Sequence, residues 1–326
     1  GIAKREGEDI FKLMAGFVAT QILYVWVQTG ALQKLADKPY SAAMLSSVWG
    51  FDLERSEILC RAGEAIGLVI ERKGHYRLTR KGAVLIGLPG VTALIEHHKI
   101  LYQDLLNPVG FFKGVEETQL SKFWPYVFGG GMDLKSSEVE KYSDLMSESQ
   151  HLVAADTLAA VNIPSVCRFL DVGGGKGTFV SELKKIHPKV DAAVFDLPGS
   201  HSENSGHRCI IGSFKEDELP AGYDIISLVR ILYDHRDETI RDLLGKTYSA
   251  LDKGGRLIVS EPMLGADRPT LWGDVYFAMY TLAMSTGKTR SPDQVSGFIK
   301  DAGFSNVTIH KSARPFITTV IEAQKT

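Results

Sequence analysis

Three textures of apolar and polar positions follow one another along the chain. The first stretch, IFKLMAGFVATQILYVWV (10–27), is apolar nearly all round and predicts a helix. Lys12, Thr20 and Gln21 interrupt it, so its unbroken apolar pieces fall short of the about 18 residues of a membrane span, and a helix buried at a subunit contact is predicted instead. After Gly30, Ser41 can cap a helix through about Ser47, and Asp52 can cap LERSEILCRAGEAIG (53–67), which Gly67 closes. LVIER and YRLT then alternate like two strands around Lys73-Gly74. Helix, helix and two-stranded wing give a winged-helix outline over residues 1–90.

Residues 91–165 read as helices and loops rich in aromatics, among them Tyr102, Phe111, Phe112, Phe123, Trp124, Tyr126 and Phe128. Gly129–Gly131 mark a loop, and EVEKYSDLMSESQHLVAADTLAAV (138–161) predicts a long helix. From 166 to 326 the texture changes again. CRFLDV (167–172), DAAVFDL (191–197), RCIIG (208–212), DIISLVR (224–230) and GRLIVSE (255–261) are short apolar runs separated mostly by helical segments, with VTIHKS and FITTVIEAQ as late strands. Near-continuous apolar strands interleaved with helices imply an α/β fold whose parallel sheet is covered on both faces.

Composition narrows the function classes. The 326 residues, 44% hydrophobic and 23% charged, suit an ordinary enzyme of more than one domain. A net charge of −2 leaves no basic footprint for nucleic acid. The presumed recognition helix of the wing sets Glu54, Glu57 and Glu64 against Arg55 and Arg61, the wrong balance for phosphate contacts. The N-terminal outline therefore reads as a dimerisation or substrate-enclosing unit. Cys60, Cys167 and Cys209 are too few and scattered for a disulfide framework or zinc site, which points to a reducing, cytoplasmic setting. His97 and His98 are adjacent and would point about 100° apart on a helix, so they should not share a metal; one is expected at the surface and one against a pocket.

The most specific motif is RFLDVGGGKGTF (168–179). As a phosphate-gripping loop it needs glycine where Leu170 stands, and as a dinucleotide fingerprint it needs glycine where Thr178 stands. A zwitterionic ligand explains more residues. Asp171 at the strand end suits the ammonium and sulfonium side of S-adenosylmethionine, and Asp196 at the next strand end can accept from both ribose hydroxyls. The ribose argument serves NAD equally well, so an NAD-dependent oxidoreductase stays open on these residues alone.

FLDVGGGKG, VFDLP, LVRILYDHRDE, GGRLIVSEPM, GKTRSPDQVSGFIKDAGF and the wing segment GLVIERKGHYRLTRKGAVL resemble the S-adenosylmethionine-dependent O-methyltransferases with an N-terminal winged-helix dimerisation domain. Within that family, LIEHHKILYQDLLNPVGFFKG, YSDLMSESQHLVA and GDVYFAMYTLAMSTGKTRS resemble the bacterial hydroxyneurosporene (demethylspheroidene) enzymes of carotenoid synthesis. The resemblance implies a Rossmann-like class I methyltransferase sheet, a homodimer joined through the N-terminal domain, S-adenosylmethionine as methyl donor with S-adenosylhomocysteine as product, no metal, and a lipophilic alcohol as substrate. A membrane-resident substrate would bring the enzyme to the membrane periphery without an anchor. It further implies that Gly173 and Gly175 contact the methionine moiety, Asp196 and Leu197 the ribose, Ser213 and Phe214 the adenine, and Arg230 the cofactor's carboxylate. Two features depart from the family. Many relatives carry Asp where Ser213 stands, and the link from VFDLP to RCIIGSF is short.

The motif that carries the catalytic histidine in plant-like relatives reads YDHRD here, with Tyr233 at the histidine position and His235 two residues on. Tyrosine, with an ordinary pKa near 10, is a poor base at neutral pH. His235 points elsewhere and cannot simply take over. Glu261 matches one of two glutamates that flank the histidine; the other falls near Thr289. Tyr233 is therefore expected to orient the substrate hydroxyl and pass its proton onward, toward Glu261, and the alternative is a packed wall of the pocket. Met146, Gln150, Tyr276, Phe277, Tyr280 and Met284 are candidates for an apolar substrate channel, soft methionines suiting a long polyene; the same residues at helical spacing could be simple core. Two rivals keep the cofactor but change the function: a tetrapyrrole (bacteriochlorophyll-type) methyltransferase, and a winged-helix regulator responsive to S-adenosylmethionine.

Overall fold

The computed structural model describes residues 2–127, 149–198 and 207–326. The chain divides into two compact units, Gly1–Lys99 and Ile100–Thr326. In the first, α1 (Ile2–Gln28) leads to α2 (Ala31–Asp37), α3 (Ala42–Trp49) and α4 (Leu53–Ala65), followed by the hairpin β1 (Val69–Arg72) and β2 (His75–Leu78) and by α5 (Arg80–Gly87). Both predicted caps form: the Ser41 side chain accepts from the Met44 amide and Asp52 from the Arg55 amide. α4 ends at Ala65, and Gly67 follows in the left-handed conformation. The core gathers around Trp26, which is wholly buried, donates to the Leu59 carbonyl and meets Trp49 edge-on at 5.2 Å.

α1 forms the helix expected over 10–27 and extends beyond it towards the N-terminus. Folded as one helix, Arg5–Gln28 is long and apolar enough to cross a membrane by length and composition. Its buried part lies near the C-terminal end at Trp26 and Val27, while Ile10, Phe11, Leu13, Met14, Phe17 and Val18 are exposed. The polar interruptions do not break the helix; Lys12 pairs with Glu8 and Asp9 on its own surface.

The second unit is built on a seven-stranded sheet. Its strands are β3 (Arg168–Val172), β4 (Asp191–Asp196), β5 (Arg208–Ile211), β6 (Tyr223–Val229), β7 (Leu251–Glu261), β8 (Ser305–His310) and β9 (Thr319–Gln324), in the order β5-β4-β3-β6-β7-β9-β8. The first five run parallel and β9 is antiparallel to both its neighbours. The alternation of apolar runs and helices predicts the parallel, two-faced part of this sheet, and the whole matches the Rossmann-like class I sheet that the family resemblance implies. Strand order reverses beside β3, so the carboxyl ends of β3, β4 and β6 open a crevice where α/β sheets bind ligands. One face packs Leu170, Val172, Ile226 and Leu228 against Ile240, Leu243 and Leu244 of α11 (Asp237–Ala250). The other packs Phe169, Val194 and Ile225 against Phe179, Val180 and Leu183 of α10 (Thr178–Ile186) and Val153 and Ala154 of the helix over 149–160, α9. Residues 138–148 of the predicted long helix, Met146 among them, and the Gly129–Gly131 loop lie outside the described residues, as do 199–206 of the short link.

α9 is tied to the sheet by polar groups. The Thr157, Ser260 and Thr318 hydroxyls form a buried chain at 2.6 and 2.7 Å. The Asp156 carboxylate, 3% exposed, accepts from Arg314 Nε at 3.0 Å and Nη2 at 2.6 Å. Removing the guanidinium would leave a buried carboxylate without its cation. Arg314→Ala should therefore lower stability by about 2–3 kcal/mol in urea unfolding, below the range of about 3–5 kcal/mol for fully buried pairs because the Arg314 side chain is 36% exposed.

Candidate active site

The glycine loop after β3 is shaped by contacts that exclude side chains. Gly173 has φ +71°, its amide donates to the Phe195 carbonyl at 2.7 Å, and a Cβ there would sit 2.3 Å from Ile231 Cδ1. A Cβ on Gly174 would meet Asp171 Oδ2 at 2.4 Å. Asp171 is 1% exposed; Oδ1 accepts from Ser227 Oγ at 2.6 Å, and Oδ2 is buried with no hydrogen-bond partner among the described residues. Burial, with a smaller contribution from the charge of Asp196, pushes its pKa up to about 7. A buried carboxylate with one oxygen unpaired suits a cationic donor.

Asp196 reaches back to the loop. Oδ2 accepts from the Gly175 amide at 2.6 Å and Oδ1 from the Leu197 amide at 2.6 Å. A carboxylate has about four lone-pair sites and can serve several donors at once. Lys176 is exposed, as expected of a loop not built for phosphate. Beyond β5, the Ser213 amide donates to Asp217 Oδ2 at 2.8 Å, so an acidic group comes to Ser213 from four residues downstream. Phe214 packs on the core edge and meets His235 edge-on at 5.3 Å.

After β6 the chain turns sharply. Arg230 holds φ +58°, a left-handed conformation that non-glycine residues adopt at some cost. Its amide donates to the Ser260 carbonyl at 2.8 Å and its Nη1 to Ser149 Oγ at 2.7 Å. A single 3-10 turn, Leu232–Asp234, follows and is wholly buried. Glu261, at the end of β7 and 1% exposed, accepts through Oε2 from the Leu232 amide at 2.9 Å and the Tyr233 amide at 3.2 Å. Burial raises its pKa to about 7 against the pull of those amides and of Arg290.

Oε2 of Glu261 serves the backbone of the turn, beside the two side chains the sequence singles out. Tyr233 is 2% exposed, hydrogen-bonded to Arg230 through its side chain, and burial drives its ionisation far up, which removes it as a base. Burial and the cations Lys215 and Arg290 lower the His235 pKa to about 3, so its ring is neutral and packed on Phe214. Thr289 shares a hydrogen bond with Thr281 Oγ1 at 3.0 Å and offers no carboxylate.

Tyr276 and Phe277 end a stretch of π-helix, Leu271–Phe277, that runs into α12 (Ala278–Met284). Tyr276 stacks on Tyr280 with centroids 6.2 Å apart, and both interact electrostatically with Tyr233 and Arg230. The three tyrosines lie within electrostatic reach of one another, Tyr233 and Tyr280 buried and Tyr276 half-buried. Met284 is fully buried with Leu101, Phe111 and Leu120 and belongs to the packing behind it. Gln150 is half-buried on α9 beside Ser149, the partner of Arg230. His97 and His98 are both half-buried, not one inside and one out, and burial lowers each pKa to about 4. Among the described residues, no group of three or more His, Cys, Asp and Glu could hold a metal ion.

The family model for the O-methyltransferase domain matches residues 102–305. The demethylspheroidene O-methyltransferase of Rhodobacter capsulatus is 42% identical over 99% of this chain and 84% of its own length. That of Cereibacter sphaeroides is 40% identical over 99% and 88%. The chain belongs to the O-methyltransferase family. The fold is shared with human N-acetylserotonin methyltransferase, whose complex with S-adenosylmethionine superimposes at a TM-score of 0.80 with 22% identity, covering 98% of this chain and 97% of that one.

In this O-methyltransferase the residue most missed by sequence reasoning is Arg290, 1% exposed. Its Nη1 donates to the carbonyls of Leu232 at 3.1 Å and Lys288 at 2.8 Å, its Nη2 to that of His235 at 2.9 Å, and Nε and Nη2 both reach Asp237 Oδ1. One guanidinium therefore clamps the whole YDHRD loop. The Ser291–Gln294 capping box beside it was readable in TRSPDQ and fixes where Arg290 sits. Lysine keeps the charge but lacks the planar fork. Arg290→Lys should cost about 2–4 kcal/mol and speed amide hydrogen exchange at Leu232 and Tyr233, measured by mass spectrometry.

Proposed function

We propose that this protein transfers a methyl group from S-adenosylmethionine to the hydroxyl of a lipophilic alcohol, a hydroxycarotenoid of the demethylspheroidene type. The observation that carries the substrate class is the 40–42% identity to two demethylspheroidene O-methyltransferases over 99% of the chain. The chemistry of the crevice agrees with the cofactor. Asp171 presents a buried oxygen with no hydrogen-bond partner among the described residues beside the glycine loop, and Asp196 stands at the next strand end against the Gly175 and Leu197 amides.

S-adenosylmethionine supplies an electrophilic methyl group on a sulfonium centre. Asp171, Gly173, Gly175, Asp196, Leu197, Ser213, Phe214 and Arg230 would hold it, with Asp217 adding an acidic group where Ser213 has none. The protein's own work is alignment and exclusion of water, and positioning alone can supply about 7–11 kcal/mol of barrier reduction. Tyr233, Tyr276 and Tyr280 offer phenols that stay protonated and can orient an alcohol oxygen in an apolar wall that includes Phe277. His235 acts as a neutral prop for Phe214.

The same reading assigns residues 1–90 to a winged-helix dimerisation domain, 91–165 to a linker and lid, and 166–326 to cofactor binding. The exposed apolar flank of α1, from Ile10 to Val18, supports burial against a second copy of the chain. A polyene substrate resides in lipid, so the dimer would meet the membrane at its surface to collect it.

The deciding experiment incubates the protein with methyl-labelled S-adenosylmethionine and demethylspheroidene. Label in the carotenoid is the expected result, and label in a tetrapyrrole pool instead would favour the other branch. Tyr233→Phe removes one neutral hydrogen bond, so kcat should fall about 3–10-fold with cofactor affinity unchanged; full turnover would exclude an orienting role. Cofactor affinity should rise with pH through about 7. Asp171 is held protonated by burial below that value, and a bound ammonium favours its ionised form. Calorimetric titration of Asp171→Asn should show binding weakened about tenfold, consistent with loss of a charge-assisted hydrogen bond of about 1.5–3 kcal/mol, and that pH dependence gone.

A further inference from the structure

Among the described residues no histidine stands at the position of the substrate's proton acceptor, where Tyr233 is found, yet methyl transfer to an alcohol releases a proton. The described residues narrow the acceptor by what each is already doing. Tyr233 is protonated and bonded to Arg230, and the His235 ring is turned onto Phe214. Glu261 Oε2 holds two backbone amides, and Asp237 is bound to Arg290 and Lys288. Asp171 faces the glycine loop at the other side of the crevice. Asp234 remains. It is 4% exposed, it sits on the 3-10 turn directly after Tyr233, and its Oδ1 is buried with no hydrogen-bond partner among the described residues. Its charge acts on both Tyr233, its chain neighbour, and Tyr280. A buried carboxyl oxygen left unpaired costs free energy unless a ligand completes it.

We propose that Asp234 is the proton acceptor of the reaction, taking the place of the histidine missing from the preceding position. The inference rests on the reading of the protein as a hydroxycarotenoid methyltransferase. In the step, the substrate oxygen forms a bond to the methyl carbon of S-adenosylmethionine while the carbon–sulfur bond breaks and its electron pair stays on sulfur. The hydroxyl proton passes to Oδ1 of Asp234. The sulfonium becomes a neutral thioether and the carboxylate a neutral acid, so charge is conserved. The proton leaves an oxygen that turns strongly acidic as the new bond forms, so a carboxylate is basic enough.

The environment of Asp234 sets a pH signature. Burial and the charge of Glu261 raise its pKa well above the usual carboxylate range, while Arg230 opposes them; Tyr233 and Tyr280 face it as neutral phenols. Proton acceptance requires the ionised form, so the single-turnover rate at saturating S-adenosylmethionine should rise with pH and then level off. A limb due to Glu261 would survive replacement of Asp234.

The test measures single turnover of demethylspheroidene by the full-length protein and by Asp234→Asn between pH 5 and 9. Expected are a rate lowered about 100-fold or more in the variant, KM and cofactor affinity within about threefold of wild type, and the ascending limb abolished. A variant that keeps more than about a third of the rate, or keeps the limb, overturns the role of Asp234 while leaving the substrate reading intact. A flat wild-type profile over the same range overturns it with no variant required, which covers a variant that fails to fold. If wild type transfers no methyl group to demethylspheroidene, the substrate reading falls and this inference with it. Asp234→Glu, which restores a carboxylate one methylene further out, should recover at least about tenfold over Asn, as a merely structural role would not.

Discussion

The chemistry of this molecule depends on a carboxylate that touches backbone. Glu261 ends the β7 strand and its Oε2 receives the amides of Leu232 and Tyr233, so the turn after β6 is fixed to the strand beside it. That turn carries Arg230, Tyr233, Asp234 and His235, and each points as it does because the backbone between them cannot relax. Arg290 closes the same loop from the opposite side by filling the carbonyls of Leu232 and His235. Donors held by Glu261 and acceptors held by Arg290 leave the segment few unsatisfied groups despite near-total burial, which is the condition for irregular backbone to exist inside a protein.

Much of the fold was legible because five of the seven strands run parallel in a sheet covered on both faces. Strands such as FLDV and DIISLV must then be almost wholly apolar, and they stand out against the helices between them. The glycines at 173 and 175 and the acids at 171 and 196 stood out for a related reason: they are dictated by backbone geometry and strand ends, which are local. Arg290 was not legible, since its partners lie more than fifty residues away in sequence, brought together by the crossing of two loops. The two amides that Glu261 holds were not legible for the same reason: a carboxylate near a catalytic position reads as an acid or base, and only the folded chain shows that one of its oxygens is bonded to amides. The helix of α1 was legible, because Lys12, Thr20 and Gln21 interrupt an apolar run without breaking a helix.

The substitution of histidine by Tyr233 makes chemical sense once the nucleophile is an alcohol. A phenol can be activated by removing its proton first, and a histidine near neutrality is matched to that task. An aliphatic alcohol is too weakly acidic for prior deprotonation to help, so attack comes first and the proton is lost as the new bond forms. The demand on the enzyme shifts from basicity to placement: an oxygen lone pair aligned with the methyl group, and an acceptor close enough to receive the proton when the oxygen becomes acidic. Three protonated tyrosines within electrostatic reach of one another suit the first requirement, because a neutral phenol can donate to or accept from an alcohol without bringing charge.

Burial then acts in opposite senses on the two sides of the crevice. At Asp171 the raised pKa is a cost that a cationic ligand relieves, so cofactor binding and ionisation reinforce each other. At the YDHRD turn the raised carboxyl pKa values make each group a stronger acceptor once ionised, while Arg230 at Asp234 and Arg290 at Glu261 favour that ionised form. A sulfonium bound in the crevice would add positive charge near these carboxyls and favour their ionisation. Transfer of the methyl group removes that charge, and a proton arriving on a carboxyl then restores the neutral arrangement that the buried pocket prefers. The electrostatics of an apolar site thereby favour release of a neutral ether and a neutral thioether over retention of either.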